Sequence, residues 1–132
     1  MLGLYLKDAA EIATGRKTAI AAKSALAPGE RQLIVKQVDG SYAVTGRVIV
    51  GAAQVVDLKE FDAQHDKHLV SKAQRRQWWP EAEMLVIHPL THTHTEPYPL
   101  DIAPGTTQDV ELQGLGIKEL DVVDGYYIYE VE

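Results

Sequence analysis

Apolar and polar positions alternate from the start of the chain. Leu2, Leu4 and Leu6 stand against Gly3 and Tyr5, which predicts a first strand with leucine on its buried face. A short helix is predicted over Asp8–Ala13, with Asp8 as N-cap and Glu11 three residues on, and Gly15 ends it. Small residues over Lys17–Ala22 predict a short second strand, and Pro28-Gly29 marks a turn. Arg31–Val38 reads as strand, with Leu33, Ile34, Val35 and Val38 apolar, and Asp39-Gly40 predicts a hairpin into a Val-rich strand over Tyr42–Val56. That strand is interrupted at Gly46 and at Gly51-Ala52-Ala53, where bulges or bends are expected. Asp57 and Ser71 are the predicted caps of two helical stretches, Leu58–Phe61 and Lys72–Trp79, and Pro80 stops the second. Met84–Leu90 returns to strand, and the alternating threonines of Thr91–Thr95 extend it. Pro97, Pro99 and Pro104 predict an irregular, edge-like stretch; residues 105–125 carry the weakest pattern, with a strand expected at Asp109–Leu112, and Tyr126–Val131 closes the chain as a final strand.

This pattern predicts an α+β domain over residues 1–132. It is a small curled antiparallel or mixed sheet of about six strands, forming a pseudo-barrel with two or three short helices. Residues from about 91 to 132 are its acidic, less regular part. A length of 132 residues is enough for a core without staples, and the absence of cysteine excludes disulfides, thiolate zinc sites and a cysteine nucleophile. The opening segment is too briefly apolar for a signal peptide and nothing approaches a membrane span. A soluble, cytoplasmic protein with no membrane partner is expected, in the host cytoplasm if a phage encodes it.

Charge refines the picture. Residues 1–80 hold 12 Lys/Arg against 8 Asp/Glu, whereas residues 81–132 hold 1 against 11. The net charge of -6 disfavours indiscriminate polyanion binding, yet the basic half leaves room for a local nucleic-acid site. The acidic half offers a surface for a basic protein partner.

The chemistry concentrates at Thr14-Gly15-Arg16-Lys17-Thr18, two cations and hydroxyls at a helix end beside a run of small residues. Arg16, Lys17 and Lys23 are candidate phosphate or ligand contacts, and Thr18 a hydrogen-bonding partner; all three cations equally suit a solvated surface. Trp78 and Trp79 are adjacent on a helix, so they point about 100° apart. One can lie in the core while the other faces a groove beside Arg75 and Arg76 and stacks on a base. His92 and His94 share a strand face, with His88 four residues earlier and His65 and His68 in reach, a possible histidine metal set. No carboxylate motif accompanies them, so no metal and no cofactor is expected. Asp57, Glu60 and Asp62 are the carboxylates placed to reach the Lys17 turn, although helix capping is the simpler role of Asp57. No phosphate-binding loop, dinucleotide fingerprint or serine-nucleophile elbow is present.

The order strand, short helix, Gly15-Arg16-Lys17-Thr18, Asp39-Gly40 hairpin and Gly46–Val50 strand, followed by His68-Leu69-Val70-Ser71 through Trp78-Trp79-Pro80, resembles the PUA-like superfamily over roughly residues 1–90. The likeness is to its ASCH and EVE-type branches, of bacterial or phage type. The resemblance implies a pseudo-barrel with a cleft beside the first helix that holds RNA or a modified base. It also implies, in some small ASCH members, amidohydrolase activity on acetylated cytidine by a Lys, a Thr and a distant Glu. Lys17 and Thr18 occupy the Gly-x-Lys-Thr positions, and Glu60 is the candidate carboxylate. The catalytic Thr of those enzymes lies three residues after the Lys, where this chain has Ile20, and the following basic position is Ala22 with Lys23 beside it. An RNA- or nucleotide-binding module is therefore expected ahead of a hydrolase of a modified nucleoside, with an acidic interaction protein as the third alternative.

Overall fold

The computed structural model describes residues 2–6, 9–23, 25–100 and 126–130. The expected Asp8 cap, Pro104 and the whole of 105–125, including the strand at Asp109–Leu112, lie outside them. Strand β1 (Leu2–Leu6) leads to helix α1 (Ala9–Ala13), then β2 (Ala19–Ala22), β3 (Gly29–Lys36), β4 (Tyr42–Val50) and β5 (Gln54–Asp57). Helices α2 (Leu58–Ala63), α3 (His65–His68) and α4 (Lys72–Trp78) form an insertion before β6 (Met84–Leu100) and β7 (Tyr126–Glu130). The strand order is β2-β6-β4-β3-β1-β7, with β5 also on β6, and only the β1–β3 pairing is parallel among these described strands. The result is a curled mixed sheet forming a half-barrel, as the sequence pattern predicts, with seven strands where about six were expected and four short helices where two or three were.

Curling follows from where pairing changes. Ile87 of β6 faces Ala21 on one edge and Gln54 on the other, so β2 and β5 flank the same segment. Gly51–Ala53 separate β4 from β5, which pair with successive stretches of β6 on that edge. The break is a bend, held by the Gly51 N–H donating to Pro89 O at 2.8 Å. A second irregularity sets Thr45 of β4 opposite residues 95–97 of β6. Beyond Leu90, among the described residues, β6 pairs with β4 alone. That one-sided pairing lets Pro97 and Pro99, two residues apart, sit within the strand with their missing donors toward the open edge. The prolines were expected to punctuate an irregular stretch; instead the strand runs through them, because only one edge needs donors.

The core has two layers, and β2 lies between them. Period-two alternation sends Ile20 and Ala22 into a cluster with Leu4, Ile12, Leu33, Val48, Val50 and Val86, inside the half-barrel. Ala19 and Ala21 point the other way, against Phe61, Val70, Trp79, Leu85 and Ile87 beneath the insertion. Asp57 caps α2 by accepting from the Glu60 N–H at 2.8 Å. Ser71 and Gln74 make a reciprocal capping box at α4, at 3.1 and 3.0 Å. Each cap is worth about 1 kcal/mol. Leu69, with φ 61, ends α3 and redirects the chain between the two helices. The Asp39-Gly40 turn joins β3 and β4, with Gly40 at φ 87 and the Asp39 carboxylate accepting from the Ser41 N–H and hydroxyl.

A Cβ added at Gly46 would fall 2.6 Å from both Thr93 O and His92 Nε2. Because one of those atoms is backbone in the paired strand, relief requires separating β4 from β6. Gly46→Ala is expected to cost about 1–3 kcal/mol of unfolding free energy, the cost of overpacking. Urea denaturation checks this, and a loss below about 0.5 kcal/mol would show that the sheet yields freely there.

Candidate functional site

Gly15, at φ 84, turns the chain out of α1, and the Gly15 and Lys17 N–H groups close the helix end on Ile12 O and Glu11 O. The next residue is stitched to two other elements. Thr18 N–H donates to Lys67 O at 2.9 Å, and Thr18 O accepts from Leu90 N–H at 2.8 Å, so the turn is fixed to α3 and to β6. The predicted cations part here. Arg16 points into solvent with its side chain 69% exposed, 3.1 Å from the Glu11 carboxylate. Lys17 is only 2% exposed, and its charge bears on His68. Thr18 is exposed, and Lys23 is exposed at the far end of β2. Five residues of extended chain separate Thr18 from Lys23, roughly 16 Å.

Trp78 and Trp79 lie at the Lys23 end. Trp79 is 4% exposed and meets Phe61 edge-on at 6.1 Å; Trp78 is half-buried and meets Trp79 edge-on at 5.9 Å. One indole thus lies in the core and one at a surface, with Trp79 the C-cap residue just past α4 rather than part of the helix. Together with Lys23, Pro80, Glu81 and Ala82 they line a depression of about 330 Å³. Arg76 is exposed, but Arg75 is not a free cation beside the groove. Its guanidinium grips both oxygens of Asp62, at 2.7 and 2.8 Å, tying α4 to α2. The hydrogen bond from Arg75 holds the Asp62 carboxyl below its ordinary range against the opposing effect of burial. Asp62 is thereby committed to α4 and does not serve the Lys17 turn. Glu60 is exposed and accepts from Gln64 at 3.0 Å, its own N–H being the donor to the Asp57 cap.

The histidines divide between structure and surface. His88 is fully buried; its Nε2 accepts from Leu26 N–H at 2.9 Å and its Nδ1 lies 2.9 Å from Gly51 O, to which it donates. With both nitrogens bound to backbone, His88 has no lone pair left for a metal, and no group of three potential metal-ligating side chains occurs among the described residues. His68, also fully buried, donates from Nε2 to Phe61 O at 2.7 Å and accepts from Val70 N–H at Nδ1, 2.9 Å away. It stacks on Phe61 at 4.1 Å and touches His65 edge-on. His65, His68, Phe61, Trp79 and Trp78 thus form a continuous row of rings under the insertion, from the α3 side to the Lys23 side. His92 is half-buried with Nε2 unpartnered, and His94 is exposed. Glu81 was not among the sequence candidates: nothing in its local pattern marks it, and only the turn after α4 brings it beside Lys23.

A curled half-barrel with a short helix and a charged turn after its first strand, and a helical insertion before its longest strand, is an ASCH/PUA-like fold. Solved structures similar to it include the ASCH protein of Zymomonas mobilis, at 17% identity and a TM-score of 0.58 over 86% of this chain and 93% of that one. A serine-to-alanine mutant of the same protein matches at 18% identity and 0.58, covering 86% and 94%, and a tyrosine-to-phenylalanine mutant at 18% and 0.57, covering 75% and 76%. At such identities the likeness is one of fold. No protein-family model matches the chain, and no curated protein does.

The buried rings make stability depend on pH. Burial pushes His68 below the ordinary histidine value, aided by the His65 and Lys17 charges and opposed by the Phe61 carbonyl and Asp62; burial, then His94, does the same to His92. A histidine lowered in the folded state is protonated first in the unfolded chain. Unfolding free energy is therefore expected to be steady above about pH 6.5 and to fall below it, by at most about 1.4 kcal/mol per pH unit for each ring, until the folded rings charge. His68→Asn should lower stability at pH 8 and remove roughly half of that slope. Denaturant titrations from pH 5 to 8 check it; an unchanged slope in this variant and in His92→Gln would rule out both rings as its source.

Proposed function

We propose that this protein is an RNA- or nucleotide-binding module of the PUA-like type, using the Trp78–Trp79 depression and the exposed face of the Gly15–Thr18 turn. The depression carries the proposal. A half-buried indole backed by a second indole, with Lys23 on its rim, combines the stacking surface and the cation that single-strand binders use. Its volume is in the range of small-ligand sites. Lys67, whose carbonyl holds the Thr18 N–H, and Lys72 and Arg76 are exposed cations on the insertion that could meet further phosphates of a bound strand; β2 itself is buried on both faces.

Binding is favoured over hydrolysis of a modified nucleoside. Ile20, which stands where the ASCH amidohydrolases carry their threonine, is fully buried in the half-barrel core and offers no hydroxyl. Lys17→Ala is a poor test because Lys17 is buried; Trp78, Arg16 and Arg76 are the informative positions.

Fluorescence anisotropy with short single-stranded RNA and DNA, at low and near-physiological salt, tests the proposal. Trp78→Ala should weaken saturable binding by about 1–3 kcal/mol, the cost of one lost base–aromatic stack. Arg16→Ala and Arg76→Ala should each weaken it more modestly and make it less salt-dependent. Absence of saturable binding by the intact protein at low salt would overturn the nucleic-acid function.

A further inference from the structure

We propose that β5 is a pairing edge, through which two copies of this chain associate as an antiparallel dimer centred on Val55. The proposal is independent of the nucleic-acid function above. Among the described residues β5 pairs with β6 alone, on one of its two edges. Alternate residues of the strand direct their N–H and C=O groups to the other edge. An open row of this kind pairs with another strand unless something prevents it. The one-sided stretch of β6 beyond Leu90 carries such a guard in Pro97 and Pro99. β5 carries none. Its sequence is Gln-Val-Val-Asp, without lysine or proline, and its carboxylate already accepts the Glu60 N–H as the cap of α2.

The side chains along this edge favour a second copy. Val55 is 65% exposed and Met84 is 50% exposed. Val55 lies opposite Val86 and Asp57 opposite Met84, so Val55 and Met84 are diagonal neighbours on one face. It is the face on which Val86 joins the half-barrel core. A copy turned about a two-fold axis perpendicular to the sheet keeps that face on the same side. Faces then match only when residues of the same parity lie opposite one another. One such register sets Val55 against Val55 and Gln54 against Val56, which brings both exposed valines out of water together. Asp57 then falls opposite Ala53 of the other copy, and no like charges meet across the seam. The alternative, Val56 against Val56, would put each exposed valine opposite a carboxylate.

Sedimentation equilibrium of the intact protein over a wide concentration range reads the association. With so short a seam the dimer is expected to be weak, at the small end of specific interfaces. Each copy carries a net charge of -6, so added salt should strengthen association by screening the repulsion. Val55→Lys, at an exposed position, should weaken it by about tenfold or more, because two cations replace a buried apolar pair. The chain has no cysteine, so a single introduced thiol reports the register. Opposed residues of an antiparallel pair lie about 5 Å apart at Cα, within disulfide reach, whereas the two Gln54 positions would be about 8 Å apart, beyond it. Val55→Cys should therefore cross-link under mild oxidation much faster than Gln54→Cys. A monomer at every concentration would overturn the proposal and leave the edge to a strand of another protein. Equal cross-linking rates would overturn the register centred on Val55. A dimer that salt weakens, or that Val55→Lys leaves intact, would also sink the proposal, since a different surface would then hold the copies together.

Discussion

The burial of β2 on both faces is the constraint on which the rest depends. Four residues, Ala-Ile-Ala-Ala, separate the interior of the half-barrel from the layer under the insertion, and all four are shielded from water. On the insertion side only alanine is present, which lets Phe61 and Trp79 press against the strand's backbone. On the barrel side Ile20 supplies the bulk. A strand clamped in this way cannot slide without exchanging its two faces, since a one-residue slip would send Ile20 into the aromatic layer. The segments that leave its two ends, the Arg16–Thr18 turn and Lys23, take their positions from that clamp.

Polar groups within this interior serve mainly to fix backbone. His88, on β6, joins the segment after β2 and the bend at Gly51. His68 does the same between α2 and the residues leading to α4. The Asp62–Arg75 pair, largely shielded on both sides, adds a two-pronged link whose geometry selects one docking of α4 on α2. Such a pair contributes little net stability once desolvation is counted, and much more to uniqueness.

Local rules made much of this fold readable in the chain. The Asp39-Gly40 hairpin, the caps at Asp57 and Ser71, the glycine bends and the extension of the last long strand through Thr91–Thr95 are all signals carried by a few neighbouring residues. The parallel pairing of β1 with β3 is not of that kind, because it joins residues some thirty positions apart through α1 and β2. Nor was the site wholly legible. Arg16, Lys17 and Lys23 are close in sequence, but extension of β2 carries Lys23 to the tryptophans and leaves Arg16 at the α3 end. The assignment of Arg75 to Asp62 and of His88 to two backbone groups depends on contacts thirteen to sixty-two residues apart, which no spacing rule contains.

The base of the helical insertion has a consequence for how such a protein changes over evolutionary time. β5 and β6 pair up to Asp57 opposite Met84, so the chain leaves and re-enters the sheet at adjacent points. What is strung between those points is not free of the strands, because Phe61, Val70 and Trp79 cover the face of β2 that Ala19 and Ala21 present. Lengthening or trimming of the insertion is therefore tolerated at its exposed turns and not at the positions that roof β2, so change over evolutionary time is expected to gather at the former while the roof keeps its volume.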